Sequence, residues 1–99
     1  MNIPEPLVSV DFEVFGKVQG VFFTKYLKEM SEQLALNGWC KNTKQGTICG
    51  KIQGPKPGID HMVVWLTSIG SPGSVIERCN LTNWQTLAKP EIKGFSIRF

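Results

Sequence analysis

Long apolar runs are missing from this 99-residue chain. Nothing in it approaches the roughly 20 consecutive apolar residues that a membrane-spanning helix needs, so no membrane partner is expected. Histidine occurs once, as His61, and cysteine three times, as Cys40, Cys49 and Cys79. An odd cysteine count without Cys-x-x-Cys spacing, and one histidine far from all three, supply neither a disulfide framework nor a zinc ligand set. Free thiols in a reducing compartment are the expectation. Charge of one sign is also scarce: 11 Lys and Arg face 8 Asp and Glu, a net charge of +3. That balance suits a small anionic substrate and is too weak to imply nucleic acid. The opening Met1-Asn2-Ile3-Pro4-Glu5-Pro6 offers neither the basic nor the apolar region of a secretory signal, so a cytoplasmic location is expected. No internal repeat or low-complexity tract divides the chain.

What is present is core-forming material. Hydrophobic residues make up 41%, with six Phe, three Trp and one Tyr. A domain of this size should bury more than about 60% of its unfolded surface without staples. The reading is a lead-in over residues 1–6 and a single domain over residues 7–99.

From Leu7 to Val14, Val8, Val10, Phe12 and Val14 alternate with Ser9, Asp11 and Glu13, which predicts a half-buried strand. Asp11 and Glu13 lie on its polar face, where solvated carboxylates are expected rather than a catalytic pair. Phe23, Leu27, Met30 and Leu34 form one stripe of an amphipathic helix, and Asn37-Gly38 signals its stop, with Gly suited to the left-handed position. Trp39–Asn42 and Thr47–Gly54 flank a polar turn ending in Gly46, a β-hairpin signal. Gly50, on the apolar face of the second of these strands, marks a close approach by another element. After Pro55-Lys56-Pro57-Gly58, the residues Ile59, Met62, Val63, Leu66 and Ile69 give a second helical stripe. Asp60 stands near its start and His61 has a surface or packing role. Gly70-Ser71-Pro72-Gly73 ends this helix. Val75–Trp84 reads as a strand, residues 85–93 as a loop, and Phe95, Ile97 and Phe99 as a short final strand. The order β, α, β, β, α, β is the split βαβ pattern. It predicts a ferredoxin-like α+β fold, an antiparallel sheet of four to five strands with two helices on one face.

The most informative stretch is Phe15-Gly16-Lys17-Val18-Gln19-Gly20-Val21-Phe22-Phe23-Thr24-Lys25. A strand pattern runs into two glycines four residues apart, and a helical pattern starts directly after them. A helix start exposes backbone N–H groups without intrahelical partners, and the helix dipole adds partial positive charge there, so the loop can cradle a phosphate or carboxylate. Two glycines equally serve an ordinary strand-to-helix turn. The fold alone does not choose between them.

Phe15-Gly16-Lys17-Val18-Gln19-Gly20-Val21-Phe22-Phe23 closely resembles the signature loop of the acylphosphatase family, and Gly38-Trp39-Cys40-Lys41-Asn42-Thr43 with Gly46-Thr47 resembles its second signature. Gly70-Ser71-Pro72, Ile76-Glu77-Arg78 and Phe95-Ser96-Ile97-Arg98 are similar to the family's small eukaryotic members. The likeness runs from about Val8 to the end. It implies metal-free hydrolysis of acyl phosphates to a carboxylate and inorganic phosphate, by a monomer that needs no cofactor. The ligand would be an acyl phosphate or inorganic phosphate. The resemblance implies that the amides of Gly16, Lys17, Val18, Gln19, Gly20 and Val21 bind the phosphate and that Asn42 holds the attacking water. It also calls for an arginine where this chain has Thr24. A permanently charged fork is thereby replaced by one neutral hydroxyl. Lys25 does not substitute, because one step along a helix turns a side chain by about 100°. Lys17, Lys41 and Lys44 add only diffuse attraction. The expectation therefore splits between a weakened hydrolase and a catalytically impaired module, a pseudoenzyme, that keeps the anion cradle. An RNA-recognition domain shares the fold class, but Thr47–Ile52 carries no exposed aromatics on which bases would stack.

Overall fold

A computed structural model describes residues 6–99, so most of the expected lead-in over residues 1–6 lies outside the described residues. The elements are β1 (Leu7–Lys17), α1 (Phe23–Gln33), β2 (Asn37–Asn42), β3 (Ile48–Pro55), α2 (Lys56–Val64), β4 (Val75–Leu87) and β5 (Phe95–Arg98). They form one sheet in the order β4-β1-β3-β2-β5. Both helices cover a single face of it, as the alternation in β1 requires: Val10, Phe12 and Val14 are buried while Asp11 and Glu13 face the open side. This is the ferredoxin-like α+β arrangement. Among the described residues no helix is long and apolar enough to cross a membrane.

The sheet is mixed rather than antiparallel. β5 pairs parallel with β2 through Gly38↔Phe95 and Cys40↔Ile97, whereas the other neighbours are antiparallel. The chain leaves β4 at one edge, crosses to the opposite edge and arrives running with β2, as a parallel partner requires. Gln53 fixes this crossing. It is buried; its carbonyl accepts from the Glu91 and Ile92 amides, and its Nε2 donates to Glu91 Oε1 and to Ser9 Oγ.

Gly50 lies where the sequence placed a close approach. A Cβ there would collide with the Trp39 carbonyl and sit 2.6 Å from Phe12 Cζ. The apolar stripes pack between sheet and helices around Phe23, Leu27, Ile52, Ile59, Met62 and Leu66. Each fully buried side chain of this kind contributes about 1.5–3 kcal/mol.

Several expected boundaries move. α1 ends at Gln33 in a left-handed Ala35, φ 56°, and Asn37-Gly38 already belongs to β2. α2 passes into a π-helical turn, Trp65–Ile69, whose extra residue per turn rotates the stripe. Trp65 is thereby buried, and Ile69, which the sequence reading placed on the apolar stripe, is exposed. β4 continues to Leu87, three residues into the expected loop, because its 85–87 stretch pairs with Leu7–Ser9. Phe99 lies beyond β5 and is fully exposed.

Candidate anion-binding site

β1 carries its ladder further than the loop reading assumed. Gly16 and Lys17 are strand residues, paired with Ile76 and Val75, so the connection itself is Val18–Phe22. β4 fits one extra residue, Glu77, between the partners of Phe15 and Gly16. At this bulge Gly16 has φ 131°, and a Cβ would strike the Val75 carbonyl. The strand thus bends into the loop at the one residue type that permits it.

Each loop residue then has a distinct place. Val18 is fully buried and plugs the base of the turn. The Gln19 carboxamide donates both hydrogens, to Thr43 O and to Thr47 O, each at 2.9 Å. Those carbonyls belong to the β2–β3 turn, which is stiffened by the Thr43–Thr47 hydroxyl contact at 2.6 Å and by Thr47 Oγ1 donating to Glu13 Oε2 at 2.7 Å. Gly20 is exposed at φ 74°, with nothing within 4 Å of an added Cβ. The Val21 carbonyl accepts from Ser71 Oγ at 3.0 Å. Phe22, 73% exposed, is itself left-handed with φ 56° and ψ 26°. Phe23 anchors the helix start in the core, its ring centroid 4.9 Å from that of Trp65.

The consequence is an unusual run of free donors. Among the described residues, no backbone amide from Val18 to Lys25 makes a well-aligned hydrogen bond to another protein group; the first helical bond is Tyr26 N to Phe22 O at 3.1 Å. α1 has no capping side chain and no acidic residue in its first turn. Unpaired N–H groups at a helix start, with the dipole behind them, attract an anion.

Asn42 is the last residue of β2 and is exposed. The next residue, Thr43, is tied to the loop through the Gln19 side chain. Asn42 lines an open depression of about 490 Å³ together with Lys41, Thr43, Lys44, Gln45, Cys49 and Phe99. Thr24 is half-buried in the first turn of α1, and Lys17 and Lys25 are exposed. Cys49 is no poised nucleophile: burial pushes its thiol up, against the opposing pull of Lys41.

A second depression of about 290 Å³ lies on the open sheet face and includes Asp11 and Glu13. Both carboxylates are engaged, Asp11 with Lys51 at 3.4 Å and with Asn83 at 2.8 Å, and Glu13 with Thr47. They form no free acid pair. His61 is exposed on α2.

Ser71, Phe22 and the Gln19 side chain were not singled out as site residues by sequence reasoning. The Gly70-Ser71-Pro72 tract read only as a helix stop and a point of resemblance, and no local pattern says which carbonyl a serine will meet 50 residues away.

Known proteins share both sequence and geometry with this chain. A family model described as Acylphosphatase matches residues 10–97. Acylphosphatase-2 of Anas platyrhynchos is 48% identical over 96 residues, covering 97% of this chain and 93% of the relative. The Homo sapiens acylphosphatase-2 is 44% identical over 99 residues, the whole of both chains. Among solved structures, an acylphosphatase from Bacillus subtilis matches with a TM-score of 0.85 at 26% identity, covering 93% of this chain and 99% of its own. One from Coxiella burnetii matches with 0.82 at 29% identity, covering 94% of each. With the model spanning nearly the whole domain and the relatives this similar, the chain belongs to the acylphosphatase family.

Proposed function

We propose that this protein hydrolyses the carboxyl–phosphate bond of acyl phosphates, as a cytoplasmic monomer, at the site formed by the Val18–Phe22 loop, the start of α1 and the end of β2. The observation that carries this reading is the unbroken run of unengaged amides from Val18 to Lys25. Donors fixed in advance, where charge develops on a transferring phosphoryl group, lower the barrier without reorganising. The loop amides hold the phosphoryl oxygens, and the Asn42 carboxamide holds the attacking water. The water oxygen bonds to phosphorus as the bond from phosphorus to the acyl oxygen breaks. The electron pair leaves with the carboxylate, and the proton passes to the phosphate product or to solvent. A carboxylic acid has a pKa of about 4, so this leaving group needs no proton at neutral pH. Charge stabilisation is the main demand on the site.

Thr24 stands where the family pattern has its arginine. One neutral hydroxyl replaces a charged, bidentate donor, and the loss of such a group lowers turnover by about 10²–10³-fold. Thr24 also favours a second reading, a module that holds phosphate or an acyl phosphate without turning it over.

Hydrolysis of benzoyl phosphate, measured side by side on the natural chain and on Thr24→Arg, tests both. Slow turnover that rises about 100-fold with arginine supports the weakened hydrolase. A silent natural chain beside an active variant leaves the binding module. Equal rates mean that another residue clamps the phosphate. No turnover in either, with no binding at millimolar phosphate, removes both readings.

A further inference from the structure

The geometry points to Ser71 as a positioning residue for the anion cradle: its hydroxyl sets the plane of the Val21–Phe22 peptide and so aims the Phe22 N–H at the bound anion. This rests on the cradle reading above and extends it to a residue far away in the chain.

Ser71 is 3% exposed, and its Oγ donates to Val21 O at 3.0 Å. A peptide unit is planar, and none of the described peptide bonds is cis. Its carbonyl and its N–H therefore point in opposite directions. Pinning Val21 O toward Ser71 turns the Phe22 N–H away from Ser71, and that N–H is one of the unengaged donors at the start of α1.

The Phe22 conformation needs such a brace. A bulky residue at φ 56° is an outlier, and a ring left 73% exposed gains little from burial that would hold it there. Phe22 is held instead by its neighbours. Phe23 behind it is locked in the core against Trp65, and Val21 before it is tied by Ser71.

Ser71 is itself delivered by a stiff scaffold. The π-helical turn closes with Gly70 N donating to Trp65 O at 2.9 Å, and Gly70 has φ 69°. The Ser71 carbonyl then accepts from Ser74 N at 3.0 Å, the bond that closes the turn, and the Ser74 hydroxyl donates to the same carbonyl without being needed to close it. The extra residue of the π turn, which packs Trp65 into the core, also sets where this serine arrives. Strained conformations are kept at ligand-binding turns when their surroundings over-determine them.

The test is a titration of ¹⁵N-labelled protein with inorganic phosphate, following amide shifts in the natural chain, Ser71→Ala and Ser74→Ala. The expected result is that phosphate moves the Phe22 amide strongly in the natural chain. Ser71→Ala weakens phosphate about tenfold, as the loss of one orienting hydrogen bond does, and blunts the Phe22 response more than those of Phe23 to Lys25. Ser74→Ala removes a bond inside the same turn without touching Val21, and it leaves the Phe22 response intact. If Ser71→Ala does not fold, Ser71→Cys, of similar size and a weak donor, carries the same comparison. The inference is overturned if Ser71→Ala binds phosphate as the natural chain does. It is equally overturned if Ser74→Ala blunts the Phe22 amide just as much, since the turn's fold would then be the cause. A natural chain whose amides ignore millimolar phosphate removes the cradle itself, and this inference with it.

Discussion

Ser31 lies fully buried in the middle of α1, and its hydroxyl reaches no partner among the described residues. A buried hydroxyl without a hydrogen bond costs about 1–3 kcal/mol, and serine is also a poorer helix former than alanine. Ser31→Ala removes one small polar group and leaves almost no cavity. It should raise stability by about 1 kcal/mol, which for a domain of this size is about 4–8 °C in Tm. Thermal unfolding of the two proteins checks this; an unchanged or lower Tm would mean that the hydroxyl has a partner in solution. At the same scale, the site residues divide by how they are held. Val18 is fixed by burial and Gln19 by two carbonyls of the opposite turn. Thr24 and Asn42 stand at element ends with no protein hydrogen bond recorded for their side chains among the described residues. Side chains left unengaged in this way remain available to a ligand.

At the scale of elements, the end of α1 shows where a local signal stops short. Ala35 N donates to Glu32 O at 3.1 Å and Leu36 N to Ser31 O at 2.8 Å, the paired bonds of a Schellman cap. The left-handed residue of that cap is normally glycine, and here it is an exposed alanine at φ 56°. Relieving the steric cost of a Cβ in this conformation should outweigh the added freedom of the unfolded chain. Ala35→Gly is therefore expected to stabilise by about 1 kcal/mol, and Ala35→Val to destabilise. Urea unfolding midpoints would show the order Gly, Ala, Val; any other order means the cap is not left-handed in solution. Sequence reasoning placed this stop three residues late because Gly38 was the only glycine in reach, whereas the closing bond depends on burying Leu36. The π-helical turn was invisible for a related reason. Ile69 continues the 3.6-residue stripe on paper, and only the packing of Trp65 against Phe23 favours the extra residue that turns it outward. The half-buried β1, the hairpin and the glycine loop were legible because alternation and turn chemistry are local properties. The parallel docking of β5 and the Ser71 brace are tertiary, and no window of sequence contains both partners.

For the molecule as a whole, the single covered sheet face determines how stability responds to alkali. Cys40 projects from β2 into the core and is fully buried. Burial, helped by nearby Cys49 and opposed by Lys28, pushes its thiol up to about 12 from an ordinary value of 9.0. Burial likewise raises Cys79, on β4, to about 11. A thiol raised in the folded state keeps its proton there while the unfolded chain ionises. The folded state then binds more protons, so stability falls as pH rises. The contribution is complete below pH 9.0, where both states are protonated, and is lost progressively as pH climbs toward about 12. Each thiol in that window removes about 1.4 kcal/mol per pH unit. Other groups titrate in the same range, so the informative quantity is a difference between two proteins. Cys40→Ala loses a buried sulfur and is less stable at pH 8, but it also loses the thiol whose ionisation favours unfolding. The gap in Tm between the natural chain and Cys40→Ala should therefore be widest at pH 8 and close steadily above pH 9, measured by calorimetry at constant ionic strength. A gap that stays constant to pH 11 would mean that the Cys40 thiol titrates alike in both states, and that the core between sheet and helices admits water.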